Sequence, residues 1–303
     1  MNPFPMLFAL GATLASGMAH SQPAPAAYPQ KPVRVLVGLV PGGNPDVLAR
    51  MIAVKLSEAF GQQFIVENRP GMSSGVVTTN PHLYKSLPYD PFRELAPVSL
   101  AVVVPMWLVV HPSLPARSVK ELVALARSHK APMLYASSGN GSIHHITMEA
   151  FKAATRIDMT HVPYRGAGQS VPAMLAGEVM VAFFGYPAMS GAIKSGRLRV
   201  LAFSMARRST LTPEVPTVAE TVAPGFDMGA PLGVFVAGGT RREIVARLSQ
   251  AVNDAVWAPD VIARMAAIGM EPVGLTPEQY GKNLRQEHQR LGALIRRIGM
   301  RLD

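Results

Sequence analysis

Val33-Arg34-Val35-Leu36-Val37-Gly38-Leu39-Val40 runs straight into Pro41-Gly42-Gly43-Asn44-Pro45-Asp46, and behind that turn apolar residues recur at Leu48, Met51, Ile52, Leu56, Ala59 and Phe60. The first run is apolar except at Arg34 and Gly38, as in a strand covered on both faces. Pro-Gly-Gly stops it, and the spacing that follows predicts one buried face of a helix. Gly61 ends that helix, and 64–66 reads as the next strand. Strand, glycine turn, helix and strand is the repeating unit of an α/β fold, and it recurs along the chain. Further strands are expected at 98–110, 133–136, 179–184, 200–203 and 233–237. Ser118-Val119-Lys120-Glu121, Thr240-Arg241-Arg242-Glu243 and Thr276-Pro277-Glu278-Gln279 have the form of capping boxes opening helices. Such alternation implies a mostly parallel sheet with flanking helices. Short proline-bearing joints at Val104-Pro105 and Ala230-Pro231 are the candidate lobe boundaries.

At 303 residues the chain can form two lobes of ordinary domain size. It contains no cysteine, which excludes disulfides and thiolate metal sites. The formal charge of +10 comes from scattered residues with no basic-aromatic run, so nucleic acid is not an expected partner. The excess fits a positive soluble surface or mild steering of anions.

The segment 1–21 is apolar from Phe4 to about Leu14 and ends in Ala19-His20-Ser21, the small-x-small form of a cleaved leader. Cleavage is expected before Gln22, giving a periplasmic mature protein. The leader's first residues lack a basic side chain, so an uncleaved start is the alternative.

Three loops carry residues suited to chemistry. In Pro41 to Asp46, glycines admit close approach and the helix start offers free amides and partial positive charge, which suits a carboxylate. Asp46 can cap that helix or accept from a ligand; the plain alternative is a tight turn. Ser137-Ser138-Gly139-Asn140-Gly141-Ser142 repeats the pattern ahead of His144 and His145. It is neither a dinucleotide fingerprint nor a P-loop. Adjacent histidines diverge on a helix, so no metal is expected there. Val162-Pro163-Tyr164-Arg165-Gly166 adds a hydroxyl and a guanidinium fork. Separately, Gly71-Met72-Ser73-Ser74-Gly75 matches the esterase G-x-S-x-G pattern. It lacks the preceding strand and following helix that a nucleophile elbow needs, and Ser73 as a hydrolase nucleophile is kept only as an alternative.

Taken in order, several segments resemble the substrate-binding components of tripartite tricarboxylate transporters, the Bug family. They are Tyr28-Pro29-Gln30-Lys31-Pro32-Val33; Pro41-Gly42-Gly43 with Asp46; Glu67-Asn68-Arg69-Pro70-Gly71; Leu83-Tyr84-Lys85 with Leu87-Pro88-Tyr89-Asp90-Pro91; Tyr135 to Ser142 with His145; His161-Val162-Pro163-Tyr164-Arg165-Gly166; and Val215-Pro216-Thr217. The resemblance implies a two-lobed periplasmic-binding-protein (Venus-flytrap, type II-like) fold without catalysis. It implies a small carboxylate, an organic acid or acidic amino acid, held between the lobes. Residues 28–104 plus 231–303 would form lobe 1 and 105–230 lobe 2. Gly42, Gly43, Asp46, Ser73 and Ser74 would line the site from the first lobe. Ser137, Ser138, Gly139, Gly141, Ser142, His145 and Tyr164 would line it from the second. No cofactor or metal is implied. The expected partners are membrane transporter subunits or a sensor kinase, and the expected state is a monomer.

The sequence also departs from the pattern. About two dozen residues normally follow Asn-Arg-Pro-Gly, enough for one helix and one strand, and they are missing here. The first lobe is therefore expected to lack a helix-strand unit, leaving unpaired backbone and a possible non-binding relative as an alternative. Phe184-Gly185 replaces a typical Asp-Asn, Met180 follows Val179 where an acidic residue is usual, and Gly38-Leu39 replaces a Pro-Phe-like pair.

Overall fold

The computed structural model describes residues 28–39, 41–69, 75, 77–209 and 212–302. The expected leader at 1–21 and the Ser73 and Ser74 candidates lie outside them. The chain opens with β1 (Val33–Val37), α1 (Asn44–Phe60) and β2 (Phe64–Asn68). Two short helices, α2 (Asn80–Leu83) and α3 (Pro91–Glu94), lead into the long strand β3 (Leu95–Val110). Next come α4 (Val119–Ser128), β4 (Met133–Ser137), α5 (Ile143–Thr155), β5 (Met159–Pro163), α6 (Ala167–Leu175), β6 (Val181–Gly185), α7 (Tyr186–Lys194) and β7 (Arg199–Phe203). The chain continues through α8 (Val218–Thr221), β8 (Gly229–Ala237), α9 (Arg242–Val256), α10 (Pro259–Ala267), β9 (Glu271–Pro272) and α11 (Pro277–Ile298).

Two lobes share β3. Its residues 95–105 pair with β8, and Val102 and Val103 with β9. Its residues 106–110 pair with β6, and Trp107 to Val110 also with β7. The strand runs unbroken through Pro105, and what changes there is its set of partners. The second sheet has the order β5-β4-β6-β3-β7. Within it β4 is parallel to β5 and β6, but β3 is antiparallel to every strand it pairs with. The mostly parallel sheet expected from the alternation is thus mixed. The reason is directional: β3 leaves the first lobe and runs away from the junction, whereas β6 runs back toward it, with Gly185 opposite Met106.

Side chains alternate across this shared strand, as a pleat requires. Met106, Leu108 and Val110 join the main core, which continues to Leu48, Met51 and Ile52 of α1 and to Ile146 and Phe151 of α5. Trp107 and Val109 face the other way, onto Phe184, Phe203, Met174 and Met189. One core thus bridges both lobes through β3, and a second closes the far face of the second sheet.

The helix starts come out unevenly. Thr276 forms a complete capping box with Gln279. Ser118 accepts from the Glu121 amide at 3.2 Å, but Glu121 turns to the Arg117 amide, one residue earlier, at 2.6 Å. The expected box at Thr240 does not form. The Thr240 amide closes a turn on the Ala237 carbonyl at 3.0 Å, and α9 starts one residue later, behind Arg241, with no side-chain cap.

Among the described residues no helix-strand unit stands between β2 and α2. Among the described residues β1 pairs with β2 alone, in parallel. One face packs on α1; on the other, Leu36 is 53% and Ile65 47% exposed. A parallel pair normally has both faces covered by helices.

Candidate functional site

The two glycine loops are built alike. Gly42 (φ +84°) and Gly141 (φ +69°) each stand one residue before a helix N-cap, Gly43 for α1 and Ser142 for α5. Each turns its amide onto the side chain at the third helical position. Gly42 donates to Asp46 Oδ2 at 2.9 Å, and Gly141 donates to His145 Nδ1 at 3.1 Å. The left-handed glycine makes this inward turn possible. The amides of the two glycines are therefore held by the protein, and the donors left for an anion belong to the residues after them. Among the described residues, the amides of Gly43, Asn44 and Asp46 meet no protein acceptor, nor do those of Ile143 and His144. Orphan donors with a partial positive charge at a helix start form an anion-binding arrangement.

Asp46 shapes the first loop. It is 3% exposed and accepts from Arg50 Nε at 3.1 Å as well as from Gly42. Arg50 continues to Asn68 Oδ1 at 3.2 Å, and Asn68 Nδ2 to the Leu39 carbonyl at 3.0 Å. The Arg50 hydrogen bonds, followed by the Gly42 amide, hold the Asp46 carboxyl at a pKa of about 2. The network ties the loop to the end of β2.

The second loop is held by a histidine stack. His145 lies on His161 with centroids 3.7 Å apart, and His161 lies on Tyr135 at 5.0 Å. Tyr135 donates to Glu149 at 2.6 Å, and Lys152 pairs with the same carboxylate at 2.8 Å. Ser137 is fully buried; its Oγ accepts from the Gly139 amide at 3.0 Å and lies 2.6 Å from His161 Nε2. Ser142 caps α5 through the His145 amide at 3.3 Å. Ser138 Oγ lies 2.6 Å from His144 Nδ1, and that ring packs on Phe184 at 4.4 Å. Desolvation lowers both His144 and His145 to a pKa of about 4, aided at His145 by the positive field of His161. Both are neutral at pH 7, and His145 Nδ1 is then free to accept the Gly141 amide. The third loop joins the second: the Tyr164 amide donates to the Ser137 carbonyl at 3.1 Å, and Gly139 lies against the Tyr164 carbonyl.

These loops meet across the junction of the lobes. Asn44 Nδ2 lies 3.3 Å from where a Cβ on Gly185 would stand. Gly185 ends β6, beside Phe184 and hence His144 and Ser138. Leu83 of α2 and Leu302 crowd the open side of Gly141. The turns at Gly42 and Gly141 thus border one junction, at the carboxyl ends of β1 and β4, where α/β folds commonly bind ligands. Among the sequence-derived candidates, Ser138, Gly139, Ser142 and Tyr164 lie together with Gly43 around this junction, while Asp46, Ser137 and His145 act as its supports. Sequence reasoning missed Asn44, although it sits between Gly43 and Pro45 as the first helical residue. It also treated Gly185 only as a departure. Trp107, 5% exposed, has no partner for its indole N–H among the described residues and packs at a tilt on Tyr186, with ring centroids 4.6 Å apart, beside Gly185. A cavity of about 540 Å³ opens elsewhere, between α1 and α9, lined by Lys55, Phe60, Arg247 and Asp254. It lies at the C-terminal end of α1, beside the start of β2, and contains none of the candidate residues.

A family model described as the tripartite tricarboxylate transporter family receptor matches residues 71–300. Protein BugT of Bordetella pertussis is 31% identical over 326 positions, covering 100% of both chains. An alignment of 326 positions on a chain of 303 residues must open gaps in this chain. Among solved structures, an R. palustris protein with adipate shares 30% identity at a TM-score of 0.82, covering 91% of this chain and 100% of that one. MatC from Rhodopseudomonas palustris with bound malate shares 25% identity at a TM-score of 0.75, covering 88% and 100%.

Proposed function

Because this chain belongs to the tripartite tricarboxylate transporter receptor family, we propose that it captures a small carboxylate, an organic acid or acidic amino acid, between its two lobes. Members of this family are periplasmic solute-binding receptors and not enzymes, so Ser73 has no nucleophilic role. Lobe 1 comprises residues 28–104 and 231–303, lobe 2 residues 105–230, and β3 is one of the strands joining them. The leader at 1–21 directs export and is removed near Ser21-Gln22. The loaded protein, a monomer, then meets membrane transporter subunits or a sensor kinase.

One observation carries this reading: the unpartnered amides at the start of α1 and those at the start of α5 border a common junction. A carboxylate there would replace water on both sets of donors, and a ligand touching both lobes shifts the population toward the closed form. Adipate and malate, bound by the two similar structures, head the candidates, with succinate and glutamate beside them. Thermal unfolding of the mature chain against these acids tests the reading. A ligand at 100 times its Kd adds about 2.7 kcal/mol, enough to raise Tm by several degrees. A cooperatively folded sample that shifts with none of them overturns it.

A second reading, a folded relative that binds nothing, draws on β1 having β2 as its one partner among the described residues. The same titration separates the two.

A further inference from the structure

Asn44 and Gly185 come from different lobes and lie side by side. Asn44 is the first residue of α1, held by Gly43 and Pro45 and half-buried. Gly185 is the last residue of β6 and the N-cap of α7. Its φ of −67° and ψ of 145° are open to any residue, so the backbone does not demand glycine. Space restricts the choice: a Cβ would stand 3.3 Å from Asn44 Nδ2 and 3.3 Å from Val104 Cγ1, so those side chains would have to give by a few tenths of an ångström. Both are closer than a comfortable contact. Val104 is in β3, just where that strand changes partners, so the contact lies at the root of the junction.

Chemistry points the same way. The Asn44 side-chain amide has no partner in the protein among the described residues, and it lies beside the free Gly43 and Asn44 backbone amides. Across the junction are the free amides of Ile143 and His144. Neighbouring charged groups are committed elsewhere: Asp46 to Arg50 and Gly42, and Glu149 to Tyr135 and Lys152. A neutral donor that reaches the opposite lobe can touch a bound carboxylate and sense closure at once.

We infer that Asn44 is the first-lobe residue that closes onto the second lobe and donates to the bound carboxylate, and that Gly185 is the seat that admits it. The donor role rests on the carboxylate-binding reading; the seat does not. Closure is then set by the absence of one side chain, and a larger residue at 185 props the lobes apart.

Two measurements test this. The chain has no cysteine, so Asn44→Cys with Gly185→Cys gives one addressable pair, and a short bis-maleimide should crosslink it within the chain. Failure to crosslink, with both thiols reactive singly, overturns the seat whatever the wild type binds. The second measurement is a cycle of Gly185→Ala, Asn44→Ala and both, read by calorimetric titration with the tightest binder among malate, succinate, adipate and glutamate. Gly185→Ala should weaken binding at least tenfold when Asn44 is present and less than twofold when residue 44 is alanine. Equal loss in both backgrounds overturns the inference, because the obstruction would then be Val104. Crosslinking of the double-cysteine variant, with a wild type that binds none of the acids, keeps the seat and overturns the donor role, together with the binding reading.

Discussion

β1 and β6 are both five-residue strands feeding a helix at the lobe junction, and they meet through Asn44 and Gly185. Their surroundings differ. β6 lies between β4 and β3 and every residue of it is buried. Among the described residues β1 has one neighbour, and its burial alternates, with Leu36 exposed. Both are apolar runs, so local sequence does not separate them; the number of neighbours does. The second lobe is therefore a finished α/β sheet presenting its loops rigidly. The first presents an equivalent loop from a two-stranded sheet that rests on α1, which packs in turn on α9.

The largest expected effect tests that contrast at its stronger end. Phe183 is fully buried, edge-on to Phe151 at 5.7 Å and stacked with Phe226 at 6.3 Å. Phe183→Ala should cost about 3–5 kcal/mol in urea unfolding. A loss below about 1 kcal/mol, on the scale of a surface change, would mean the second lobe is no better packed than the first.

Acid should break the two loops in sequence. His145 accepts the Gly141 amide only while neutral. Its folded pKa is about 4, below the usual 6.5. Between those values the unfolded chain holds the extra proton, so stability is full above about pH 6.5 and falls as pH drops toward 4. His145→Gln, which keeps an acceptor without a titration, should flatten that slope by about 1–2 kcal/mol, allowing for residual solvent contact. His144, His161 and His82, also lowered by desolvation, retain the remainder. Asp46 behaves differently. Its folded pKa of about 2 lies below the unfolded value, so its contribution persists until pH falls below about 4 and is lost toward 2. Asp46→Asn should cost about 1 kcal/mol at pH 7, on the scale of a lost helix cap, and leave the slope between pH 4 and 6.5 unchanged. The reverse assignment of the two windows would undo the parallel between the loops.

Periodicity was enough to locate α1, α5 and the strands before them, because a buried helix face and an apolar run leave local marks. It also marked Gly42 and Gly141 as special, since a turn of that kind needs a residue without Cβ. It did not show that their amides turn inward, because that depends on the geometry of Asp46 and His145 after the helix has formed. Nor could alternation reveal that β3 runs antiparallel to β6. The direction of a strand shared by two lobes is decided by chain path, and Pro105, taken as a joint, is accommodated within it. Asn44 was passed over for the same reason. Its partner Gly185 is far along the chain, and the contact between them exists only once both sheets have formed.

The smallest effect is the most informative about the remnant sheet. Leu36 and Ile65 project from the uncovered face of β1 and β2, beside Arg34 and Glu67. If that face is open to water, Leu36→Thr and Ile65→Thr each change stability by no more than about 0.5 kcal/mol. They should also lower any tendency to associate, since exposed apolar strand surface next to an unpaired edge invites pairing. Urea unfolding and size-exclusion chromatography of the mature chain read both quantities. A loss of about 2 kcal/mol or more from either substitution would show the side chain to be covered in solution. β1 would then have found a substitute for the missing helix-strand unit, and the contrast with β6 would be one of which surface covers the strand, and no longer of whether anything does.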